Sequence, residues 1–435
     1  MSAIANWKNR ITQSQLARNT ASMLAGGAVR LGLQAAYFIM IARRLGPSQY
    51  GAFVGVAALI GLISPFAMLG TGNLMIQSVA RDRRTFRESW GNALCVTGIL
   101  SAVLLAITLL ASRLLFSRDI SLSLVALVGF SDLFLAGVVG LAGQAFQAFE
   151  QLHQTSQINV VMTGARAASA LFLVIFVRHP DANIWARFYV LSTLVSAVYA
   201  FGCVQHYLGS PKPALALLRN RTLEGFYFSF SLSSQSIYNN VDKPMLARFS
   251  TLQAVGIYAT AYRLIDLAFQ PVGALLASTY ARFFQHGANG LAGTTVFAKR
   301  LLPFSISYGV LAGVGLVVTA PILPRILGQN YALTVEALWW LSPLVLLKSI
   351  HYFFADSLTG AGFQAQRTVV QVSIGIQNVL INLWVIPAYG WRGAAWSSLE
   401  SDGMLVVALA ATVVILSRRQ RSSEVTCCVA PEIAP

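Results

Sequence analysis

Charged residues are scarce in this chain. Asp, Glu, Lys and Arg make up 11% of its 435 residues, whereas hydrophobic residues make up 56%. An ordinary soluble domain carries roughly 25% charged residues, so a soluble enzyme of this length is excluded. Apolar runs of about 20 residues, long enough to cross a bilayer as helices, recur along the whole chain and are too continuous for barrel strands. The composition predicts an all-α polytopic membrane protein.

Cysteine is also scarce, and two kinds of catalytic element are missing. Cys95 and Cys203 lie in apolar runs and Cys427 and Cys428 in a polar tail, without the spacing of a disulfide framework or a metal site. We therefore expect no metal and no cofactor. The absence of a GxxxxGK[ST] pattern excludes export driven by nucleotide hydrolysis in the chain itself. The connections between apolar runs are too short to hold a glycosyltransferase domain.

The basic residues do not form a nucleic-acid patch. The formal net charge is +16, but Lys and Arg are scattered between the apolar runs, which favours a membrane explanation and no nucleic-acid partner. Residues 1–20 contain Lys8, Arg10 and Arg18 and no apolar run. We expect the first span, and not a cleaved signal peptide, to direct insertion.

Twelve spans are predicted, and they divide the chain into two halves. The predicted spans are 21–42, 50–71, 91–112, 121–147, 156–177, 184–208, 225–247, 254–279, 301–323, 331–357, 367–387 and 394–417. The predicted domains are a cytoplasmic tail at 1–20, a six-helix lobe at 21–208, a cytoplasmic linker at 209–224, a second six-helix lobe at 225–417 and a cytoplasmic tail at 418–435.

Lys and Arg are enriched on alternate connections. The richer side includes the N-terminal tail, the 81–87 loop, the 210–224 loop and Arg418. Because cytoplasmic connections carry the basic excess, both termini are expected in the cytoplasm. The basic residues of the opposite side are Arg43, Arg44, Arg113, Arg118, Arg178, Lys243, Arg248, Arg325 and Arg392.

A weak internal repeat supports two parallel lobes. At an offset of 205 residues, Ala42-Arg43 aligns with Ala247-Arg248, and 51–60 aligns with 256–265. The same offset superposes spans 1 and 2 on spans 7 and 8 in the same direction. Two lobes with a cavity between them are therefore expected.

Three segments carry a resemblance to a known family. Residues 42–53 read ARRLGPSQYGAF, which resembles the first-loop signature of Wzx-type O-antigen and exopolysaccharide flippases of the multidrug/oligosaccharidyl-lipid/polysaccharide (MOP) exporter superfamily. Residues 242–263 resemble the junction of spans 7 and 8 in that family, and residues 386–395 resemble its turn between spans 11 and 12. The motifs also have a local interpretation, since Gly46-Pro47 ends a helix and begins a turn.

The resemblance implies a transporter and not an enzyme. It implies about twelve helices in two lobes around a central cavity, and a sugar repeat unit on undecaprenyl diphosphate as the substrate. The expected site is a bacterial inner membrane, for lipopolysaccharide, capsule or exopolysaccharide synthesis. The implied partners are the lipid-linked oligosaccharide, the bilayer, and polymerase and chain-length proteins of the same pathway.

Ionisable residues within spans are candidate site residues, because a charge at bilayer depth costs at least roughly 2.5–3.5 kcal/mol. Arg30, Arg166 and Arg263 are the candidate ligands of a diphosphate, which needs fixed cations with forked donors. The alternative for each is a structural ion pair. Asp266 lies one helical turn after Arg263, so this alternative applies there in particular.

Span 7 is unusually polar. Ser231, Gln235, Tyr238 and Asp242 recur at helical spacing and form one stripe. The stripe fits a wall that contacts sugar, and it also fits hydrogen bonding between helices. Further intramembrane groups are candidates for coupling transport to a proton or sodium gradient: Asp266, Lys348, His351, Asp356, Glu400 and Asp402.

Two other functions remain open at this point. A small-cation drug carrier of the same superfamily would favour acids over arginines in its cavity. A polysaccharide polymerase or ligase would need a sizeable outer loop with catalytic groups, and the outer loops here are short. The arginines and the short loops both favour the flippase.

The orientation predicts which face of the membrane exposes the central linker. A cysteine placed at position 215 should resist an impermeant thiol reagent in intact cells and react after permeabilisation. Labelling of intact cells would contradict the twelve-span topology with both termini inside.

Overall fold

The computed structural model is helical throughout the residues that it describes. These are 2–214, 229, 237, 239–288 and 290–429, with side chains described between 27 and 420 apart from those of 28 and 281. No strand occurs in these ranges, which confirms the all-α prediction. The chain divides into two compact units, Met1–Ser236 and Ile237–Pro435.

Each unit is built from long helices. The N-terminal unit contains α1 (Ser2–Met68), α2 (Thr71–Arg81), α3 (Phe86–Leu115), α4 (Leu122–Gly129), α5 (Ala136–Ala148), α6 (Leu152–Phe176) and α7 (Ala182–Tyr207). The C-terminal unit contains α8 (Asp242–Phe249), α9 (Leu252–Gly287), α10 (Gly290–Thr319), α11 (Leu323–Leu327), α12 (Leu333–Leu341), α13 (Leu344–Gly360), α14 (Gln364–Tyr389) and α15 (Trp391–Val429).

The helices match the predicted spans. Within the described ranges, eight helical segments are long and apolar enough to cross a membrane, and a ninth span results if the bent pair α12–α13 counts as one. Every predicted span except 225–247 coincides with a helix or with a broken helix pair. Most of 225–247 lies outside the described residues, and the predicted limits of the lobes and linker stay a prediction.

A glycine separates the first two predicted spans. The long helix α1 is interrupted at Gly46, where φ is 73° and ψ is 168°. A positive φ is far easier for glycine than for a residue with a Cβ, and Pro47 then begins the next helical stretch with a fixed φ. The offset of 205 places Gly46 on Thr251, the residue before α9. The repeat therefore marks the same break in both halves.

Contacts between connections of the N-terminal unit agree with helices that run alternately in opposite directions across the membrane. Arg44 Nη2 donates a hydrogen bond of 2.8 Å to the Val177 carbonyl, so two predicted outer connections meet. The predicted inner connections meet at other contacts. The Lys212 amide donates to the Arg87 carbonyl at 2.9 Å, and the Asn92 side chain bonds both the amide and the carbonyl of Ala214 at 2.7 and 3.2 Å.

In the C-terminal unit, too, contacts form separately at the predicted outer and the predicted inner connections. Arg392 Nε, at a predicted outer connection, lies 2.8 Å from Glu336 Oε1 on α12. At a predicted inner connection, α9 and α13 touch backbone to backbone. A Cβ built on Gly287 would lie 1.9 Å from the Gly360 carbonyl oxygen, and one built on Gly360 would lie 2.6 Å from the Phe283 carbonyl oxygen. Only glycine permits so close an approach.

Candidate functional site

A buried tyrosine in the C-terminal unit holds two lysines. Lys348 on α13 donates a hydrogen bond of 2.9 Å from Nζ to the Tyr262 hydroxyl. The ammonium groups of Lys243 and Lys348 lie 4.1 and 4.6 Å from the centre of the Tyr262 ring. All three side chains are buried. A ring face attracts cations, and this attraction strengthens when the cations are desolvated.

The position of Tyr262 follows from helical spacing. Tyr258, Tyr262 and Asp266 recur at intervals of four residues on α9 and therefore share one face. Asp266 interacts electrostatically with both lysines. Arg263, on the same turn as Tyr262, is half-buried and interacts electrostatically with Lys243. This face of α9 therefore carries both signs of charge.

Three donors form hydrogen bonds with the Asp242 carboxylate. The carboxylate accepts hydrogen bonds from the Tyr258 hydroxyl, from Ser398 Oγ at 3.3 Å and from the Lys243 amide at 2.8 Å. The Tyr258 and Ser398 hydroxyls are themselves 2.9 Å apart. Asp242 thus joins α8 to α9 and α15.

Lys243 is a neighbour of that carboxylate. Its Nζ lies 3.9 Å from Asp242 Oδ1 and donates a 2.7 Å hydrogen bond to Asn240 Oδ1. The sequence analysis placed Lys243 at the outer end of predicted span 225–247, and its side chain is only 7% exposed. The charge is held inside the unit by an aromatic ring, an amide oxygen and a carboxylate.

The His351–Asp402 pair is closer than the Lys243–Asp242 pair, but its atoms are not aligned for a hydrogen bond. His351 Nε2 lies 3.0 Å from Asp402 Oδ1, and the His351 side chain is 0% exposed. Neither ring nitrogen of His351 makes an aligned hydrogen bond to any described residue. Lys348 lies one turn before His351 on α13 and interacts electrostatically with Asp402. The structure thus brings together three of the predicted coupling residues.

The N-terminal unit contains a second polar group. Asp132 Oδ1 lies 3.9 Å from Arg166 Nη2, and the Arg166 guanidinium carbon lies 4.4 Å from the centre of the Tyr189 ring. Tyr189 also interacts with Asp132, and Tyr37 interacts with Arg166. Four helical segments contribute to the group. The ion-pair alternative for Arg166 therefore has direct support.

Local backbone geometry places Asp132 in this group. Residues Phe130–Leu135 form a π-helical turn between α4 and α5. Such turns widen a helix locally and recur at functional sites. Within the described ranges, Asp132 Oδ1 and Arg166 Nε are buried without an aligned hydrogen-bond partner. This pair is less completely satisfied than the carboxylate of Asp242.

The other predicted residues lie apart from these groups. Asp356 Oδ1 accepts a 3.2 Å hydrogen bond from Arg367 Nη1, and Glu400 Oε1 accepts one of 2.6 Å from Gln377 Nε2. Arg30 is exposed on α1. Their roles stay predictions.

The predicted polar stripe of span 7 is only partly described. Ser231, Gln235 and Tyr238 lie outside the described residues, and only Asp242 of the stripe has a position. Arg263 and Asp266 do not form the ion pair suggested by their spacing. Among described residues, no group of three His, Cys, Asp or Glu side chains is arranged to hold a metal ion.

Sequence reasoning missed the residues that connect the charges. Tyr258, Tyr262, Tyr189 and Ser398 were not singled out, because tyrosine and serine are common in membrane helices. The four-residue interval from Tyr258 to Asp266 was the available signal. It indicates a polar face on a helix, but it does not reveal which lysine the face meets.

Comparison with known proteins identifies the family. The profile described as "Polysaccharide biosynthesis protein" matches residues 16–284, which is more than half of the chain. The chain belongs to this family. A curated relative, "Probable low-salt glycan biosynthesis flippase Agl15" of Haloferax volcanii, is 21% identical over 393 residues, covering 87% of this chain and 79% of that protein.

Solved structures show the same fold in two kinds of transporter. An inward-facing multidrug resistance MATE family transporter of the MOP superfamily has a TM-score of 0.72 at 12% identity, covering 90% of this chain and 99% of that one. The inward closed lipid II flippase MurJ has a TM-score of 0.70 at 11% identity, covering 91% and 87%. The family inferred from the sequence motifs is confirmed, and its helical fold is the one found in these two transporters.

The buried pair of the N-terminal unit can be tested by a double-mutant cycle. Arg166→Gln should lower the free energy of unfolding by about 3–5 kcal/mol, because Asp132 loses its cation. Adding Asp132→Asn should recover much of this loss, since neither charge then remains. Thermal or denaturant unfolding of the purified protein in detergent measures both effects.

The matched control is an exposed ion pair of the same type. Arg392 and Glu336 have side chains that are 50% and 35% exposed. Arg392→Gln should change the free energy of unfolding by at most about 1 kcal/mol. A double variant no more stable than Arg166→Gln alone would show that the two charges are not coupled.

Proposed function

We propose that this chain flips undecaprenyl-diphosphate-linked oligosaccharide repeat units from the cytoplasmic to the periplasmic leaflet of a bacterial inner membrane. The units would serve O-antigen, capsule or exopolysaccharide synthesis. Membership of the polysaccharide biosynthesis family supports the substrate class, and the named flippase relative supports the transport step. Both termini would lie in the cytoplasm, and the polymerase and chain-length proteins of the pathway would act on the product.

One observation carries the anionic part of this proposal. Arg30 and Arg263 lie on helices of predicted spans, and neither forms an ion pair with any described residue, whereas Arg166 and Arg367 are both paired. A guanidinium without a carboxylate keeps its planar set of donors for a ligand. Phosphate oxygens match that set in geometry and charge. A phosphate group therefore suits each of these arginines better than a cationic drug does.

The proposed function can be tested in the native host. Deletion of the gene should cause lipid-linked repeat units to accumulate and surface polysaccharide to disappear, since the polymerising enzymes act beyond the membrane. Extraction of the lipid-linked fraction and its analysis by mass spectrometry measure the first effect. Unchanged polysaccharide together with raised sensitivity to cationic drugs would contradict the proposal and favour the efflux carrier.

The two arginines supply a second test. Arg30→Ala and Arg263→Ala should each lower polysaccharide export about tenfold or more, because a hydrogen bond to a charged group contributes roughly 1.5–3 kcal/mol. Arg30→Lys should fall between wild type and alanine, since lysine keeps the charge and loses the planar fork. Membrane abundance must be measured beside export.

The control for these variants is Arg325→Ala. Arg325 is an exposed arginine near a predicted outer connection, and its loss should leave both abundance and export unchanged. Normal export by both Arg30→Ala and Arg263→Ala, at normal abundance, would remove the arginines from the diphosphate site.

A further inference from the structure

Among the described buried ionisable residues of the C-terminal unit, His351 and Asp402 differ from the rest in their hydrogen bonding. Asp242 has three donors, and Asp356 receives a hydrogen bond from Arg367. His351 is fully buried and has no aligned hydrogen bond to any described residue, although its Nε2 lies 3.0 Å from a carboxylate oxygen. A buried polar group left unsatisfied calls for an explanation. The two atoms are close enough for a hydrogen bond, but the ring is not aligned to make one.

The surroundings of the pair are balanced in charge. Around Tyr262, the described side chains include three cations, Lys243, Arg263 and Lys348, and three carboxylates, Asp242, Asp266 and Asp402. With a neutral His351 the group carries no net charge. A proton on His351 adds one positive charge that no further carboxylate of the described group offsets.

Four helices pack against α13, and each carries titratable groups near it. From α9, Tyr262 and Asp266 interact with Lys348, and from α15 Asp402 faces His351 itself. From α10 comes Tyr308, whose hydroxyl donates a 2.8 Å hydrogen bond to the Ala268 carbonyl. From α14 comes Arg367, which is bound to Asp356. Asp402 is therefore the carboxylate in contact with His351, and it also interacts electrostatically with Lys348.

We propose that His351 and Asp402 form a proton-binding site, and that its protonation loosens the hold of Asp402 on Lys348. A proton bound at Nε2 lets the imidazolium donate directly to Asp402 Oδ1. The carboxylate charge is then shared with His351, and the Lys348 ammonium, one turn away, gains the freedom to bind an anionic group of the substrate. Release of the proton restores the original arrangement. This coupling role rests on the proposed function, whereas the proton site itself does not.

Histidine is suited to this role because it titrates near physiological pH. A proton entering the site would increase the positive charge available to a diphosphate, and a departing proton would decrease it. Binding and release of the anionic headgroup would then follow the proton gradient. Asp356 and Glu400 are each held by a partner of their own, Arg367 and Gln377.

The proton site is tested without any substrate. The chain contains five histidines, and replacing His153, His179, His206 and His286 by glutamine leaves only His351. Nitrogen NMR of this full-length variant in lipid nanodiscs should show one imidazole that titrates between about pH 5 and 8. Asp402→Asn in the same background should displace the midpoint by about one pH unit or more, because the facing carboxylate charge is lost.

The matched control is Glu400→Gln, an acid two residues earlier on α15 that bonds Gln377. It should leave the midpoint unchanged. A His351 ring that stays in one protonation state over the whole range overturns the proposal, and so does a midpoint that is the same in Asp402→Asn. If Asp402→Asn does not fold, the titration of the single-histidine chain decides alone.

Coupling is tested in membrane vesicles with a short-chain polyprenyl-diphosphate-linked disaccharide as the probe. For one proton exchanged per probe, an imposed gradient should raise the transbilayer ratio of probe about tenfold per pH unit. His351→Gln should abolish this response, and His206→Gln, an exposed histidine, should retain it. Transport by the wild type that ignores the gradient overturns the coupling. No transport of the probe under any condition instead rejects the proposed function, and the NMR titration still decides the proton site.

Discussion

Ionised side chains buried among apolar helices must find partners inside the protein, and this constraint explains much of the arrangement described above. A charge at bilayer depth costs at least roughly 2.5–3.5 kcal/mol. The chain meets this requirement largely with tyrosine. Its ring packs like an apolar side chain and attracts a cation, while its hydroxyl bonds either sign of charge. Tyr262 serves two lysines, Tyr258 serves Asp242, and Tyr189 serves both Arg166 and Asp132.

Buried charges in this chain are of two kinds, which differ in how completely they are hydrogen-bonded. Asp242 has donors from three helices and joins α8 to α9 and α15, so its role is to hold helices together. Asp402 and Asp132 each face a cationic or titratable group without a complete set of hydrogen bonds. Incomplete satisfaction leaves room for a second arrangement of similar energy, and a transporter needs two such arrangements. Groups of this second kind are therefore the candidates for a functional role.

Hydrophobic runs and turn residues were enough to predict the helices, because span length and glycine geometry are local properties. The break at Gly46 and the end of α14 before Gly390, whose φ is 57°, both follow from residues adjacent in sequence. The polar groups depend on contacts between helices far apart in the chain. Lys348 and Tyr262 are 86 residues apart, and Ser398 and Asp242 are 156 apart. Residue type marked Lys348, His351 and Asp402 as candidates, but only packing shows which of them touch.

The close contact of Gly287 with Gly360 has a mechanical consequence for the same two helices. No side chain lies between the two backbones there, so the contact has no rotamers to rearrange and acts as a fixed joint. Lys348 lies twelve residues from Gly360 along α13, which corresponds to about 18 Å of helix. A tilt of about 10° at the joint would therefore carry Lys348 by about 3 Å, the length of one hydrogen bond. A small angular change at one end of the unit would thus be enough to make or break a single contact at its centre.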